Sequence, residues 1–317
     1  MKEKLVVVSR GITKVSNIMN TRGKGGVELD KLLGVNEVNK MVNGMSLSTI
    51  QKHGEPKVTV IEDGLQPNQK NNLDQLGPKT LRVQGAGSQA FVSVSKCYMR
   101  QNNLDIFVVM ETRVDPAKLC KKFNNLGFSG FKFTKVRCFV GGIGMGWNKS
   151  KMRLTILRKH LQFIHAKINI GDEAEWKLIE VYASLKEEDR RELWQELQII
   201  VDSVDNGWVV GGDFNDILGS AEKRGRNILP ARKCAKFQER INGCNLMDLG
   251  YTGYKYTWRG PISHGAGRIY EELDRVLGNE LWRLQFPNVG VQVLTRPEFS
   301  NHHPIILSLR DDTGRNF

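Results

Sequence analysis

Residues 81–317 of this sequence predict one α/β domain, and residues 1–80 predict a flexible, largely disordered basic arm. From about Thr80 onward, apolar runs typical of strands alternate with segments of helical periodicity. The chain is 40% hydrophobic and 26% charged, which is typical of a globular protein with a buried core. Residues 1–80 instead scatter 12 basic and 8 acidic residues among Gly and Asn without a sustained apolar period. Such a composition favours disorder.

Apolar runs predict several strands of the domain. Leu104–Met110 is almost continuously apolar, which indicates a strand buried on both faces with Glu111 at its C-terminal end. Residues 139–147 predict a glycine-rich strand, and residues 177–182 predict a strand that ends at a tyrosine. Two late strands are expected around residues 254–258 and 305–309.

Two amphipathic helices are expected between these strands. Ser184, with Glu187 three residues later, predicts a capping box that opens the first helix. Pro230 introduces the second helix. The apolar face of the first consists of Leu193, Leu197, Ile200, Val201 and Val204, and that of the second consists of Cys234, Phe237, Ile241 and Cys244. This spacing predicts that both helices pack one face against the sheets.

Residues 208–216 combine a strand signal with groups suited to chemistry. An apolar run is followed by two glycines, then by Asp213 and, two residues later, Asn215. If the strand extends through both, their side chains point to the same side of the sheet. A carboxylate can take a proton from water, and an amide can donate a hydrogen bond to a phosphate oxygen.

The charge of the chain favours a polyanionic partner. The net charge is +13 and the pI is near 9.5, which favours nucleic acid, although charge alone also serves solubility. Lys223, Arg224 and Arg226 form a basic loop that can contact a DNA backbone, and a solvated charged face is an equally open interpretation.

Cysteine usage and hydropathy exclude other classes. The five cysteines are odd in number and form no CxxC pair, so free buried thiols in a reducing compartment are expected. His302 and His303 are adjacent, and adjacent strand residues face opposite sides, which argues against a zinc site. No apolar run approaches the ~20 residues that a membrane helix needs. The apolar stretch near Met1 is too short for a signal peptide.

Polar residues at the ends of separate predicted strands form a candidate site. Active sites are commonly built where several strand ends converge. A carboxylate such as that of Glu111 suits Mg²⁺, and an acid such as Asp274 can fix the tautomer of His302. Together they predict metal-assisted attack of water on a phosphodiester. The residues are Glu111, Tyr182, Asp213, Asn215, Asp274 and His302.

Structural roles remain open for three of these residues. Glu111 can simply end a strand that faces solvent. Tyr182 can be a half-buried core residue, and Asp274 can form an ion pair with Arg275.

Several ordered blocks resemble the endonuclease/exonuclease/phosphatase superfamily, whose fold is that of deoxyribonuclease I. More narrowly, the chain resembles the endonuclease domain of plant LINE-type (non-LTR) retrotransposons. The resemblance implies a four-layer sandwich of two packed β-sheets flanked by helices. The blocks are residues 85–91, 108–113, 141–143, 162–165, 181–184 with 191–194, 212–215, 256–258, 272–275 and 300–302.

This resemblance implies a role for each site residue and a Mg²⁺ (or Mn²⁺) cofactor. Glu111 is then the metal carboxylate, and Tyr182 supports the phosphate. Asp213 aligns or deprotonates the attacking water, and Asn215 holds the scissile phosphate. Asp274 orients the imidazole of His302, and His302 contacts the phosphate and stabilises its developing charge.

Two positions depart from the family pattern. Arg82 replaces an asparagine that the family places by the metal and phosphate, although an arginine can still contact nucleic acid. Asn301 replaces an aspartate that helps hold the metal, so it is a degenerate metal position. Loss of one metal ligand commonly costs about 10- to 100-fold in affinity or activity.

The expected function is therefore a DNA-nicking, metal-dependent phosphodiester hydrolase of retrotransposon origin, whose activity Arg82 and Asn301 are expected to weaken. Two alternatives stay open: a catalytically dead nucleic-acid-binding remnant, and a phosphatase acting on a nucleotide or lipid phosphate. We expect a monomer that contacts the DNA sugar–phosphate backbone, without a membrane or an obligate protein partner. It is expected inside the cell, in the nucleus rather than the cytoplasm, as a detached fragment of a mobile element with no reverse transcriptase following.

Overall fold

Two β-sheets lie face to face between two layers of helices in the computed structural model. The structure describes residues 4–7, 79–82, 89–112, 114–134, 142–171, 175–203, 205–225, 230–263, 267–298 and 300–309. For residues 4–7, 79–82, 89–90, 261 and 263 it describes the backbone alone. None of the helices in these ranges has the length and apolar character that crossing a membrane requires.

The described strands and helices alternate along the chain. The strands are β1 (Lys4–Val7), β2 (Lys79–Arg82), β3 (Leu104–Met110), β4 (Gly130–Phe133), β5 (Ile143–Trp147), β6 (Arg153–Lys159), β7 (Phe163–Asn169), β8 (Trp176–Tyr182), β9 (Trp208–Asp213), β10 (Lys223–Arg224), β11 (Met247–Asp248), β12 (Thr252–Gly253), β13 (Trp258–Ser263), β14 (Gly267–Glu271), β15 (Asp274–Gly278), β16 (Gly290–Val293) and β17 (Ile305–Ser308). The helices are α1 (Gln89–Asn102), α2 (Pro116–Asn125), α3 (Glu187–Asp202), α4 (Ala231–Gly243) and α5 (Glu280–Gln285).

One face of the sandwich is a six-stranded sheet with the order β11-β15-β9-β8-β7-β6. The opposite face consists of two four-stranded ladders, β1-β17-β16-β12 and β2-β3-β5-β4. A separate three-stranded sheet, β10-β14-β13, is formed by strands that precede β15 in the sequence. The β-sheets carry alternating side chains, so each presents one face to the other sheet and one face to a helix.

Buried clusters confirm this layering. The inner layer contains residues of β3, β5, β7, β8, β9 and β17, such as Val108, Ile164 and Leu307. The outer face of the six-stranded sheet packs on α3 and α4, as in the ring contacts of Trp194 with Phe214 and Phe237. Helix α2 covers the outer face of the other sheet. The predicted four-layer architecture is therefore confirmed.

Most strand predictions agree with the structure. β3 is buried at every position, as its continuous apolar run predicts. β8, β9 and β17 lie where they are expected, and β5 covers the described part of residues 139–147. The strand expected over residues 254–258 is wrong, because residues 254–257 connect β12 to β13 without strand pairing.

The predicted capping box is also wrong in register. α3 begins at Glu187, and its N-cap is Lys186, which makes no side-chain cap bond. Ser184 instead donates from Oγ to Asp189 Oδ2 at 2.8 Å and accepts from the backbone N–H of Lys186. The local sequence had the right elements, but the turn before the helix is two residues longer than a capping box requires. α4 begins directly after Pro230, as predicted.

The predicted arm of residues 1–80 lies mostly outside the described residues, so its flexibility stays a prediction. Its first described segment, β1, pairs antiparallel with β17, from Lys4 opposite Ser308 to Val7 opposite Ile305. At least these four residues form part of a sheet. The described cysteines Cys97, Cys120, Cys234 and Cys244 are free thiols, as expected, although Cys97 is exposed.

Candidate active site

Strand register brings three of the predicted site residues side by side. Tyr182 ends β8 and lies opposite Asp213 at the end of β9 in a parallel pair. Asp213 lies opposite Asp274, the first residue of β15, in an antiparallel pair. Directly paired residues project to the same face of a sheet. All three side chains therefore face the inner layer, at one end of the sandwich.

Glu111 joins this group from the opposite sheet. It directly follows β3, and the Tyr182 hydroxyl donates to its Oε1 at 2.9 Å in a buried hydrogen bond. Glu111 is only 4% exposed, so the alternative that it ends a strand facing solvent is wrong. Its φ of 50° is unusual for a residue with a side chain, and this conformation turns the chain at the strand end.

Asp274 and His302 form the expected pair. His302 Nδ1 lies 2.8 Å from Asp274 Oδ2, and both side chains are completely buried. The assignment of protons to the ring nitrogens follows from this contact, since a carboxylate can only accept. Nδ1 therefore carries the proton that is donated to Asp274.

Arg275 does not pair with Asp274, so that structural alternative is wrong. Its guanidinium instead contacts Glu222, Asp248 and Glu272 on the outer side of β15. Burial acts to lower the pKa of Arg275, but the three carboxylates raise it above its ordinary value. Burial also raises the pKa of Glu272. The Arg275 side chain thus joins β15 to these three acidic residues on the face opposite to Asp274.

Asn215 reaches the site differently from the prediction. β9 ends at Asp213, and Asn215 has a φ of 51°, so the strand alternation does not extend to it. Its backbone N–H donates to Asp213 Oδ1 at 2.9 Å, and its Nδ2 donates to the Ala183 carbonyl at 2.5 Å. The amide is therefore held between the ends of β8 and β9 by hydrogen bonds rather than by strand geometry.

Two hydroxyl groups that sequence reasoning missed hold the pair in place. Thr257 is fully buried, and its Oγ1 accepts from the backbone N–H groups of Leu273 and Asp274, both at 3.0 Å. Ser300 Oγ accepts from the His302 N–H at 3.0 Å. Both hydroxyls belong to blocks, residues 256–258 and 300–302, that carried the resemblance, so their side chains were the available signal.

The loops behind the site are tied by Arg190, which sequence reasoning also missed. This arginine on α3 is 7% exposed. Its Nη1 donates to the carbonyls of Ser184 and Leu185, at 3.0 and 2.9 Å. Its Nε lies 3.3 Å from Asp216 Oδ2. Burial raises the pKa of Asp216, and Arg190 opposes that shift. One guanidinium therefore connects the loop after β8 with the loop after β9.

The donor atoms suit a divalent cation. Glu111 supplies a buried carboxylate fixed by a hydroxyl, the ligand type that Mg²⁺ prefers. Asp213, Asp274 and His302 offer ligand atoms that all lie within 4.8 Å of one another, a mixed set that metals tolerant of imidazole accept. Asp274 is already engaged with His302, so Glu111 is the residue of this group that could hold a cation. Asn301 adjoins this region and is half-buried.

The predicted nucleic-acid contacts are only partly described. Lys223 forms an ion pair with Glu271 at 2.5 Å, and its side chain is only 12% exposed. Arg224, its neighbour on β10, is exposed. Arg82 lies on β2, but its side chain and all of Arg226 lie outside the described residues.

Comparison with known proteins agrees with this geometry. Residues 98–302 match the model of the Endonuclease/Exonuclease/phosphatase family, which is more than half of the chain. No curated protein sequence matches the chain.

Solved structures share the fold at low sequence identity. The endonuclease domain of TRAS1, a telomere-specific non-LTR retrotransposon, is 12% identical with a TM-score of 0.55, over 74% of this chain and 100% of that chain. The AP endonuclease LMAP from Leishmania major is 14% identical with a TM-score of 0.55, over 74% and 88%. The 3′ phosphatase NExo from Neisseria, bound to product DNA hairpin, is 14% identical with a TM-score of 0.52, over 73% and 98%. With this fold, and with a family match over residues 98–302, which include every residue of the candidate site, the chain belongs to the endonuclease/exonuclease/phosphatase family.

Proposed function

We propose that this protein is a divalent-metal-dependent phosphodiester hydrolase that nicks DNA. One observation carries the proposal: the ends of both sheets bring Glu111, Tyr182, Asp213, Asp274 and His302 into one buried series of contacts and strand pairs. Structural ion pairs do not require an acid, a phenol and an imidazole from five separate segments at one end of a sandwich. Hydrolysis of a phosphate ester uses each of these groups.

Each residue has a step that its contacts support. Asp213 takes the proton of the attacking water, and its orientation is fixed by the N–H of Asn215. Asn215 can donate its second amide hydrogen to a phosphate oxygen, since the first is held by Ala183. Because Nδ1 of His302 donates to Asp274, protonated His302 donates to the phosphate from Nε2. Glu111 would hold a divalent cation, which supplies Lewis-acid stabilisation of the charge on the phosphoryl oxygens.

DNA is the substrate class that the chain favours. The net charge of +13 favours a polyanion, and one protein of similar fold is bound to a DNA product. We further propose a retrotransposon origin of the plant LINE type. The ordered sequence blocks support it, and so does the likeness in fold to the TRAS1 endonuclease domain.

A second function, nucleic-acid binding without cleavage, is favoured by the burial of the site. His302 and Asp213 are both 0% exposed. A substrate reaches them only if covering side chains move, and a site that stays closed would leave binding without turnover. Asn301, where the resemblance implies an aspartate, supports the same alternative.

The test is nicking of supercoiled plasmid by the full chain, in Mg²⁺, in Mn²⁺ and in EDTA. We expect metal-dependent conversion to the open circle, and its loss in Glu111→Gln and His302→Gln. Glu239→Gln removes the same charge from the exposed face of α4 and serves as the matched control. Asn301→Asp restores the acid and is expected to lower the metal concentration needed.

The outcomes separate the two functions. Equal nicking by Glu111→Gln and Glu239→Gln would exclude the proposed site. Plasmid binding without nicking, in the wild type and in Asn301→Asp alike, would exclude the hydrolase function and support nucleic-acid binding without cleavage.

A further inference from the structure

Two arginines of the three-stranded sheet and a third that follows β16 lie near the loop that ends at His302, which we call the histidine loop. We refer to Arg259, Arg268 and Arg296 as the arginine cluster. Arg259 lies on β13 and Arg268 on β14, while Arg296 precedes the loop that ends at His302. None of the three is predicted by the sequence motifs, which pointed instead to Lys223, Arg224 and Arg226.

Strand register places two of these arginines on one face. Arg259 lies opposite Tyr270 in the antiparallel β13–β14 pair. Arg268 is two residues before Tyr270 on the same strand, so both project to the same side. Arg224 of β10 also lies opposite Tyr270. One face of this small sheet therefore carries arginines on each of its three strands, around a central tyrosine.

The third arginine approaches this face through the histidine loop. The Arg296 guanidinium donates to the carbonyls of Pro297 and Ser300. The backbone N–H of Arg259 donates to the next carbonyl, that of Asn301, at 2.9 Å. Two arginines thus bind consecutive carbonyls directly before His302. Burial lowers the pKa of Arg296, and the charges of Arg259 and Arg268 lower it further.

The cluster is unfavourable for the folded protein by itself. Like charges held close together repel, and the charge of Glu298 opposes this effect at Arg296. The Nε of Arg259 is buried and has no hydrogen-bond acceptor among the described residues. An unsatisfied buried donor on a charged group destabilises the fold. An anion that bound to the cluster would offset the repulsion between the arginines.

We propose that the arginine cluster binds a phosphate group of the nucleic-acid strand, at a position separate from the phosphate that is cleaved. Guanidinium groups match phosphate oxygens in geometry and charge. The contact of β13 with Asn301 sets this site next to His302, so a strand bound here extends directly into the catalytic end. The inference rests on the proposed function only for the identity of the ligand as nucleic acid.

The experiment measures binding of the full chain to a fluorescein-labelled oligonucleotide by fluorescence anisotropy in EDTA, so that no cleavage contributes. Arg259→Gln and Arg268→Gln are each expected to weaken binding by about tenfold and to reduce the slope of log K against log salt by about one. Arg153→Gln removes the same charge from an exposed position of β6, outside the cluster, and is the matched control. It is expected to bind within about twofold of the wild type.

A thermal readout distinguishes ligand binding from a structural role. Arg268→Gln relieves repulsion and removes no side-chain hydrogen bond to another described residue. Its melting temperature is therefore expected to equal or exceed that of the wild type while its binding weakens. A structural role predicts the reverse, a lower melting temperature with binding reduced only in proportion to unfolding. Wild-type binding by both variants, or a loss no larger than in Arg153→Gln, overturns the proposal.

Two sources of the phosphate are compared in the same assay, using one sequence with hydroxyl ends, a 5′-phosphate or a 3′-phosphate. Tighter binding of one phosphorylated form by the wild type, absent in Arg259→Gln, assigns the cluster to a terminal phosphate. Equal binding of all three forms, each weakened by the substitutions, assigns it to an internal phosphodiester. Plasmid nicking plays no part in these readouts, so a failure of the hydrolase proposal leaves them interpretable.

Discussion

The hydrogen bond from Tyr182 to Glu111 allows a direct energetic test of the site, because it joins two buried side chains 71 residues apart. Tyr182→Phe deletes one hydroxyl and leaves the ring, which is 5% exposed, in place. A hydrogen bond to a charged group contributes about 1.5–3 kcal/mol. For a domain of this size, a loss of that free energy of unfolding lowers the melting temperature by about 3–12 °C.

A double-mutant cycle isolates this contact from other effects of the substitutions. In a Glu111→Gln background, the hydroxyl meets a neutral acceptor, whose hydrogen bond contributes only about 0.5–1.5 kcal/mol. We therefore expect the cost of Tyr182→Phe to fall by about 1 kcal/mol in that background. Urea unfolding followed by tryptophan fluorescence in EDTA measures the four free energies of unfolding.

The matched control is Tyr254→Phe, which deletes the same atom from a tyrosine that is 49% exposed. Its hydroxyl lies 3.5 Å from Thr295 Oγ1, a marginal hydrogen bond whose loss is expected to change stability by less than about 0.5 kcal/mol. A coupling free energy below roughly 0.5 kcal/mol between Tyr182 and Glu111, the scatter of independent sites, would refute the reasoning that the hydroxyl holds an ionised carboxylate.

Two further predictions concern residues outside the candidate active site. The pKa of His165 is lowered to about 4, first by burial and then by the charges of Lys177 and Arg158. As the pH falls below 6.5, His165 takes up a proton in the unfolded chain before it does so in the folded chain. The free energy of unfolding is therefore unaffected by this group above pH 6.5 and declines as the pH falls toward 4. His165→Leu is expected to flatten that part of a urea-derived stability curve, and an unchanged slope would contradict it. Arg190→Gln removes the cation between two loops and is expected to destabilise the protein by about 3 kcal/mol. Asp216→Asn in the same chain is expected to restore part of this loss, and strict additivity of the two losses would exclude the ion pair.

Local sequence determined the elements that depend on local periodicity. The continuous apolar run of β3 predicts its burial on both faces, and the buried positions Leu193, Leu197 and Ile200 of α3 follow from helical spacing. The residue types of the site were also predictable, because chemistry restricts which groups suit a metal, a water or a phosphate. Their roles stay predictions, since the structure shows contacts and not reactions.

What the sequence did not predict depends on pairing between distant segments. The register of β8, β9 and β15 sets which residues lie side by side, and no local pattern specifies that register. The position of Asn215 depends on a hydrogen bond to Ala183, 32 residues away. The arginine cluster was missed for the same reason, since Arg259 and Arg268 become neighbours only through the β13–β14 pairing.

The backbone conformation and the side-chain hydrogen bond of Glu111 act on stability in opposite directions. Among the described residues, four that are not glycine have a positive φ, and Glu111 is one of them. The other three, Asn103, Asn215 and Asn245, are asparagines, which tolerate this conformation. Glutamate does not, and the left-handed region costs it roughly 1 kcal/mol relative to glycine. A glycine at position 111 would relax the backbone and remove the carboxylate in the same step. The hydrogen bond that Glu111 accepts from Tyr182 contributes about 1.5–3 kcal/mol, more than the backbone cost, so selection for stability alone would keep the acid.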